Sequence, residues 1–219
     1  MITFTIEDIE YRIPERLTVK QWQELTKWDF EHEAHWPRIL STTTGAPLEY
    51  LELTKGDSLE LGVAFIASIL NARKEVELKD FNELNFGQWC DLDVYLNWGA
   101  DKHIQGILDI LAPEVKQADE ALWVLERYAT WRDWMYNQYR GLFDLDEPRE
   151  SDGETVNVAK SWYHVIVVLA GEDLLKIDEV TEQPLKKTLN FMAWRKEQQL
   201  KEQERINKER RKNDILRHR

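Results

Sequence analysis

The chain has 219 residues, enough for one large domain or two small ones and for a real buried core. It is 42% hydrophobic and 32% charged, which excludes wholesale disorder. With 29 Lys and Arg against 41 Asp and Glu, the formal charge of −12 disfavours a general nucleic-acid binder. One cysteine, Cys90, excludes an internal disulfide framework and a multi-cysteine zinc site. The longest runs without charge, 61–72 and 161–171, are far shorter than the roughly 20 residues that span a bilayer. Residues 1–7 have neither a basic n-region nor an apolar h-region, so the expected compartment is cytoplasmic.

Residues 2–6 and 9–13 both alternate apolar and polar side chains. They predict a small β-hairpin turning at Glu7-Asp8 and ended by Pro14. Thr18 with Gln21 three residues on is a capping-box pair, and Trp22, Leu25, Trp28 or Asp29, and Phe30 follow at helical spacing, so 18–31 reads as an amphipathic helix. Pro37 opens a short segment that Gly45 and Pro47 close, and Pro47 opens another. Asp57 or Ser58 caps a strongly apolar helix whose Leu59, Leu61, Val63, Phe65, Ile66, Ile69 and Leu70 occupy more than one face, which predicts a central position. Residues 75–78 read as a short strand or extended linker. Asn85 then leads Phe86, Trp89, Leu92, Asp93 and Leu96, and Ile104, Ile107, Leu108 and Leu111 repeat the period up to Pro113.

The longest central helix is predicted over 117–142, with Leu122, Leu125, Tyr128 or Ala129, Trp131 or Arg132, Met135, Tyr136 and Tyr139 inward. The polar, turn-rich run 144–154 reads as a mobile loop. Helix returns over 155–170, with Trp162, Val165, Ile166, Val168 and Leu169 inward and Gly171 as its C-cap. A last helix starts at Pro184 and runs to about 213, docked through Leu185, Leu189 and Met192. The expected fold is mainly α. A multi-helix body, 1–183, includes the N-terminal hairpin (2–13), and a long C-terminal helix, 184–219, projects from it as a charged tail from residue 195.

Charge is unevenly spread. Residues 195–219 hold ten bases and five acids, a net +5, which leaves −17 on the other 194 residues. Glu197 to Lys201 and Glu204 to Lys208 stand in the favourable acid-first order, each adding a few tenths of a kcal/mol. Leu200, Ile206, Ile215 and Leu216 give the tail a thin apolar line, so it frays when free or lies against a partner.

Residue constellations for chemistry are weak. His32 and His35 are three apart, not four, and no third ligand follows, so they read as surface residues before the Pro37 turn. Asp144, Asp146 and Glu147 lack the rest of a calcium loop. Cys90 reads as a buried structural thiol, and His164 as a histidine satisfied in the core. There is no glycine-rich phosphate loop and no Gly-x-Ser-x-Gly elbow. No catalytic, cofactor or metal residue is assigned. The ten tryptophans are the compositional oddity. Most follow helix-core spacing, while Trp131, Trp134 and Trp194 are candidate anchors for a protein partner. With the tail residues Leu200, Arg205, Ile206, Arg210 and Arg211 they make up the candidate partner-binding set.

Three stretches resemble the assembly chaperones of tailed bacteriophages that serve tail-tube or baseplate-hub assembly. The first is the hairpin followed by Ile13-Pro14-Glu15-Arg16-Leu17-Thr18-Val19. The second is Leu84-Asn85-Phe86-Gly87-Gln88-Trp89-Cys90-Asp91-Leu92-Asp93-Val94-Tyr95-Leu96. The third runs from Trp162 through Ala170-Gly171-Glu172-Asp173 and Pro184-Leu185 to Phe191–Trp194 and the charged helix beyond. The resemblance covers about half the chain. It implies a non-enzymatic, cofactor-free factor in the host cytoplasm that binds another tail protein of hub or tape-measure type, with presence in the virion as a variant. A permanent structural protein of the baseplate or tail is the first rival reading. A nucleic-acid-binding regulator using the basic tail is the second, and the acidic body opposes it.

Overall fold

The computed structural model describes residues 2–54, 56–143 and 158–217, with the side chains of 57–58 and 212–217 outside the description. The predicted loop at 144–154 lies outside the described residues. Among those described, the fold is mainly α, with eleven α-helices and one two-stranded antiparallel sheet at the N-terminus.

The hairpin pairs β1 (Ile2–Ile6) with β2 (Ile9–Ile13) in the register Ile2↔Ile13, Phe4↔Tyr11 and Ile6↔Ile9. Phe4 and Tyr11 stack at 5.8 Å, and Ile13 is fully buried. Glu7 and Asp8 both take positive φ, 49° and 66°, the two-residue turn whose twist suits a hairpin.

Thr18 and Gln21 cap α1 (Val19–Leu25) reciprocally. The Gln21 amide donates to Thr18 Oγ1 at 3.2 Å and the Thr18 amide to Gln21 Oε1 at 3.0 Å. The helix ends at Leu25, six residues before its predicted limit. Side chains wind the next segment instead. Trp36 Nε1 donates to the Phe30 carbonyl at 2.8 Å, and the Asp29 amide to His35 Nδ1 at 3.0 Å. Trp28 and Phe30 therefore belong to a tied turn.

Next come α2 (Trp36–Thr44), α3 (Leu48–Glu52) and α4 (Gly56–Asn71). α4 begins before either predicted cap. It is also one-sided: Leu59, Val63, Ile66 and Ile69 are buried, but Leu61 is 69% exposed. Its apolar surplus is thus spent partly on solvent, and the predicted all-round burial does not hold. Residues 75–78 form no strand. The chain there is held by Lys74 N–H on the Asp119 carbonyl and Lys79 N–H on the Leu111 carbonyl.

Asn85 and Gln88 cap α5 (Phe86–Gly99) through bonds of 2.8 and 3.2 Å. α6 (Ile104–Leu111) buries its four predicted apolar residues, and Gly106 lies so close to Tyr95 that a Cβ there would meet the ring at 2.8 Å.

The predicted helix 117–142 is α7 (Ala118–Gln138) followed by a separate turn, α8 (Arg140–Phe143). In its first half Ala121 and Val124 are fully buried, one position off the predicted Leu122 and Leu125, while Tyr128 and, further on, Met135 are buried as predicted. The rotation is set where the helix begins. The Ala118 amide donates to the Leu17 carbonyl at 2.7 Å, and Arg16 grips Asp119 with two bonds of 2.9 and 2.6 Å.

α9 (Val158–Leu169) buries Trp162 and Ile166, while His164 is exposed, contrary to its core assignment. Gly171 (φ 68°) closes it, as Glu172 N–H reaches the Val167 carbonyl and Gly171 N–H the Val168 carbonyl. α10 (Ile177–Thr181) and α11 (Leu185–Arg217) complete the chain.

The chain forms two compact units, Met1–Lys79 with Val94–Ala129, and Asp80–Asp93 with Thr130–Arg219. The first packs α2 against α1, α3, α4 and β2. Its polar clasp is Arg16 on Asp119 and Glu120, with Lys74 on Glu120 at 3.0 Å.

Burial alone would raise the Asp119 and Glu120 carboxyls, but bonds and charge from Arg16, and from Lys74 on Glu120, outweigh it and hold both below the usual range. Groups depressed in the folded state stabilise it above their unfolded values, about 3.9 for Asp and 4.3 for Glu, and lose that contribution as pH falls through the lower folded values. Urea midpoints measured from pH 6 to pH 2.5 should therefore fall on acidification, and fall less steeply in Arg16→Gln. Separately, Glu7→Asn with Asp8→Gly should raise stability by about 1 kcal/mol in thermal melts, because the turn demands positive φ at both positions.

Candidate functional site

The second unit is organised round one carboxylate. Asp93, in the middle of α5 and one turn beyond Trp89, is 3% exposed. Its Oδ1 accepts from Arg132 Nε at 2.8 Å, from Arg132 Nη2, and from the Tyr136 hydroxyl at 3.0 Å. Its Oδ2 accepts from Trp162 Nε1 at 2.8 Å. The Arg132 guanidinium also lies over the Tyr136 ring at 4.7 Å. Burial pushes the Tyr136 phenol up, and the neighbouring Asp93 charge adds to it. Each polar group here is spent on another, so the cluster is built as a clasp between helices.

Aromatic rings surround it. Trp89 packs edge-on to Trp131 at 5.8 Å, Phe86 edge-on to Trp162 at 5.8 Å, and Phe81 against Trp131 at 5.3 Å. Cys90 is buried beside them. Burial pushes its thiol up, with Asp91 and Asp93 adding to the rise.

On the other side of the unit, α11 runs in the same direction as the end of α7. Lys186 Nζ sits 5.8 Å from the Trp134 ring centre, Tyr139 Oη donates to Asn190 Oδ1 at 2.9 Å, and Lys196 Nζ donates to the Leu142 carbonyl at 3.4 Å. Leu185, Thr188 and Leu189 are buried on the docked face. Beyond Lys196 the side-chain bonds among the described residues stay within the helix: Glu197 with Lys201, Glu202 with Arg205, Gln203 with Asn207. Residues 197–217 therefore form an arm of about 30 Å at 1.5 Å per residue.

The candidate anchors separate. Trp131 is half-buried and spends its ring on Phe81 and Trp89. Trp134 is 47% exposed and Trp194 55%. Phe191, 49% exposed and 5.9 Å from Trp194, joins them. The sequence reading missed it, although its three-residue spacing to Trp194 was legible. On the arm, Leu200, Arg205, Arg210 and Arg211 are exposed and Ile206 is partly covered. Leu200 and Ile206 lie about 120° apart round the helix, and the side chains of Ile215 and Leu216, which complete the expected apolar line, lie outside the described residues.

In the first unit His32 and His35 stack at 5.0 Å, with His35 also against Trp28. Among the described residues no group of three His, Cys, Asp or Glu side chains is placed to hold a metal ion. No helix among them is long and apolar enough to cross a membrane. Comparison with protein-family models, with curated proteins and with solved structures finds no match.

Removing the Asp93 carboxylate strands Arg132 and the Trp162 and Tyr136 donors. Asp93→Ala should cost about 3–5 kcal/mol in urea denaturation, the range for breaking a buried pair from one side. Asp93→Leu combined with Arg132→Met should cost less than Asp93→Ala alone.

Proposed function

We propose that this chain is a non-enzymatic assembly chaperone of a tailed bacteriophage, acting in the host cytoplasm and holding another tail protein through α11. The observation that carries a partner-binding role is the arm itself. α11 is seated by Leu185 and Leu189, exposes Phe191 and Trp194 before Lys196, and continues past it with Leu200 exposed. Aromatic residues held on a rigid helix lose little entropy on binding and are common binding anchors. The acidic remainder of the chain, −17 outside residues 195–219, favours solubility of a complex with an apolar client. The polar clusters at Asp93 and Arg16 are saturated by their own neighbours, which suits a scaffold better than a reaction centre. The phage assignment rests on the resemblance of the hairpin region, of 84–96 and of 162–194 to the tail-assembly chaperones.

Affinity capture of the tagged chain from phage-producing cells should recover a tail protein, and purified particles should lack the chain. Presence in the particles would make it a permanent part of the baseplate or tail. A chain ending at Lys196 should keep its melting temperature within a few degrees and lose capture about tenfold or more. Raised salt should weaken capture by the full chain more than by the shortened one. Undiminished capture by the shortened chain would remove the arm from the mechanism.

A further inference from the structure

The outward face of α11 has a regular charge pattern. Phe191, Trp194, Gln198, Lys201, Arg205 and Lys208 recur at alternating steps of three and four residues, and all are exposed. That alternation is the seam spacing of a coiled coil. The seam opens with two aromatics, passes the uncharged Gln198 and continues with three cations. Glu197 and Glu204 flank it one residue before Gln198 and Arg205, and Glu202 and Glu209 flank it one residue after Lys201 and Lys208.

We propose that this face is a docking seam for a helix of the partner that carries carboxylates along its own centre line, lysine or arginine on both flanks, and apolar residues at one end. The inference rests on reading α11 as a partner-binding arm and names what the arm recognises. Charge complementarity decides the class of occupant. Residues 197–209 hold four acids and three bases, a net −1, so the middle of the arm offers no attraction to a uniform polyanion. The tail's basic excess sits at its two ends. A phosphate chain laid on the seam would meet a carboxylate on either side of each cation. A striped helix answers both signs at once, as flanking charges do in coiled-coil pairing. The pairs Glu197–Lys201 and Glu202–Arg205 do not oppose this, because exposed pairs of this kind hold little free energy and re-pair readily. Phe191 and Trp194 mark the end where the partner's apolar residues sit.

The test uses the full chain and two labelled synthetic four-heptad helical peptides. Both have Glu at the central positions of three heptads, Leu at those of one terminal heptad, and Lys on the flanks. They differ in which terminus carries the Leu heptad, so either helix direction is sampled. Fluorescence anisotropy should show one peptide binding, with Trp194→Ala weakening it about tenfold. The triple variant Lys201→Glu, Arg205→Glu, Lys208→Glu should weaken it about tenfold or more and bind instead a peptide with Lys in place of the central Glu. The triple Gln variant at the same positions, with helicity checked by circular dichroism, should show an intermediate loss. Binding of neither peptide, or unchanged affinity in both triple variants, overturns the proposal. So does tighter binding of single-stranded oligothymidylate than of the peptides, which would assign the arm to nucleic acid. If the chain ending at Lys196 loses its tail-protein client while the peptides fail to bind, the arm reading stands and the acidic-helix partner falls. If that shortened chain keeps its client, the arm reading falls whatever the peptides do.

Discussion

A carboxylate placed among aromatic rings is costly unless its lone pairs are filled, and Asp93 meets that condition with donors from two other helices. Arg132 and Tyr136 come from α7 and Trp162 from α9. The interaction does not make the second unit stable in the way apolar burial does, since a buried pair gains little over a well-packed hydrophobic one. What it fixes is rotation. An aromatic surface made of Trp89, Phe86, Trp131 and Trp162 can slide with small losses, whereas four hydrogen bonds to one carboxylate allow one angle for each helix. Once α7 is held there, Trp134 and Tyr139 are turned outward to meet Lys186 and Asn190 of α11. The seat of the arm is thus a consequence of a buried charge several residues away from it.

Local chemistry was legible in the sequence. The hairpin, the Thr18–Gln21 cap, the Gly171 stop and the four buried residues of α6 all depend on neighbours a few positions apart. What failed depended on distant partners. The end of α1 is set by Trp36 and His35 reaching back. The rotation of the first turns of α7 is set by Arg16, more than a hundred positions earlier. Asp93 stood in an apolar stripe and Arg132 beside another, which are two halves of one signal, but spacing within a helix does not say which halves meet. The candidate surface was read in part: Trp134 and Trp194 are exposed, Trp131 is occupied by its own neighbours, and Phe191 was passed over.

The arm shows why net charge is a poor description of a helix. A +5 tail suggests a polyelectrolyte, yet its middle is close to neutral and ordered into stripes. Lys, Glu, Gln and Arg are strong helix formers, and residues 185–217 contain neither Gly nor Pro. The helix therefore needs no apolar stripe along its free part, and its outer face is released from packing.

The parallel course of α7 and α11 also orders events in time. Tyr139 and Asn190 are 51 positions apart, and the surface that seats α11 is complete in the chain before Leu185 is translated. Emerging from the ribosome, the last helix meets a finished seat, so its docking adds no long search to folding. The free portion follows the docked portion out. The exposed aromatic face of Phe191 and Trp194 is therefore presented only by molecules whose own body has already been synthesised.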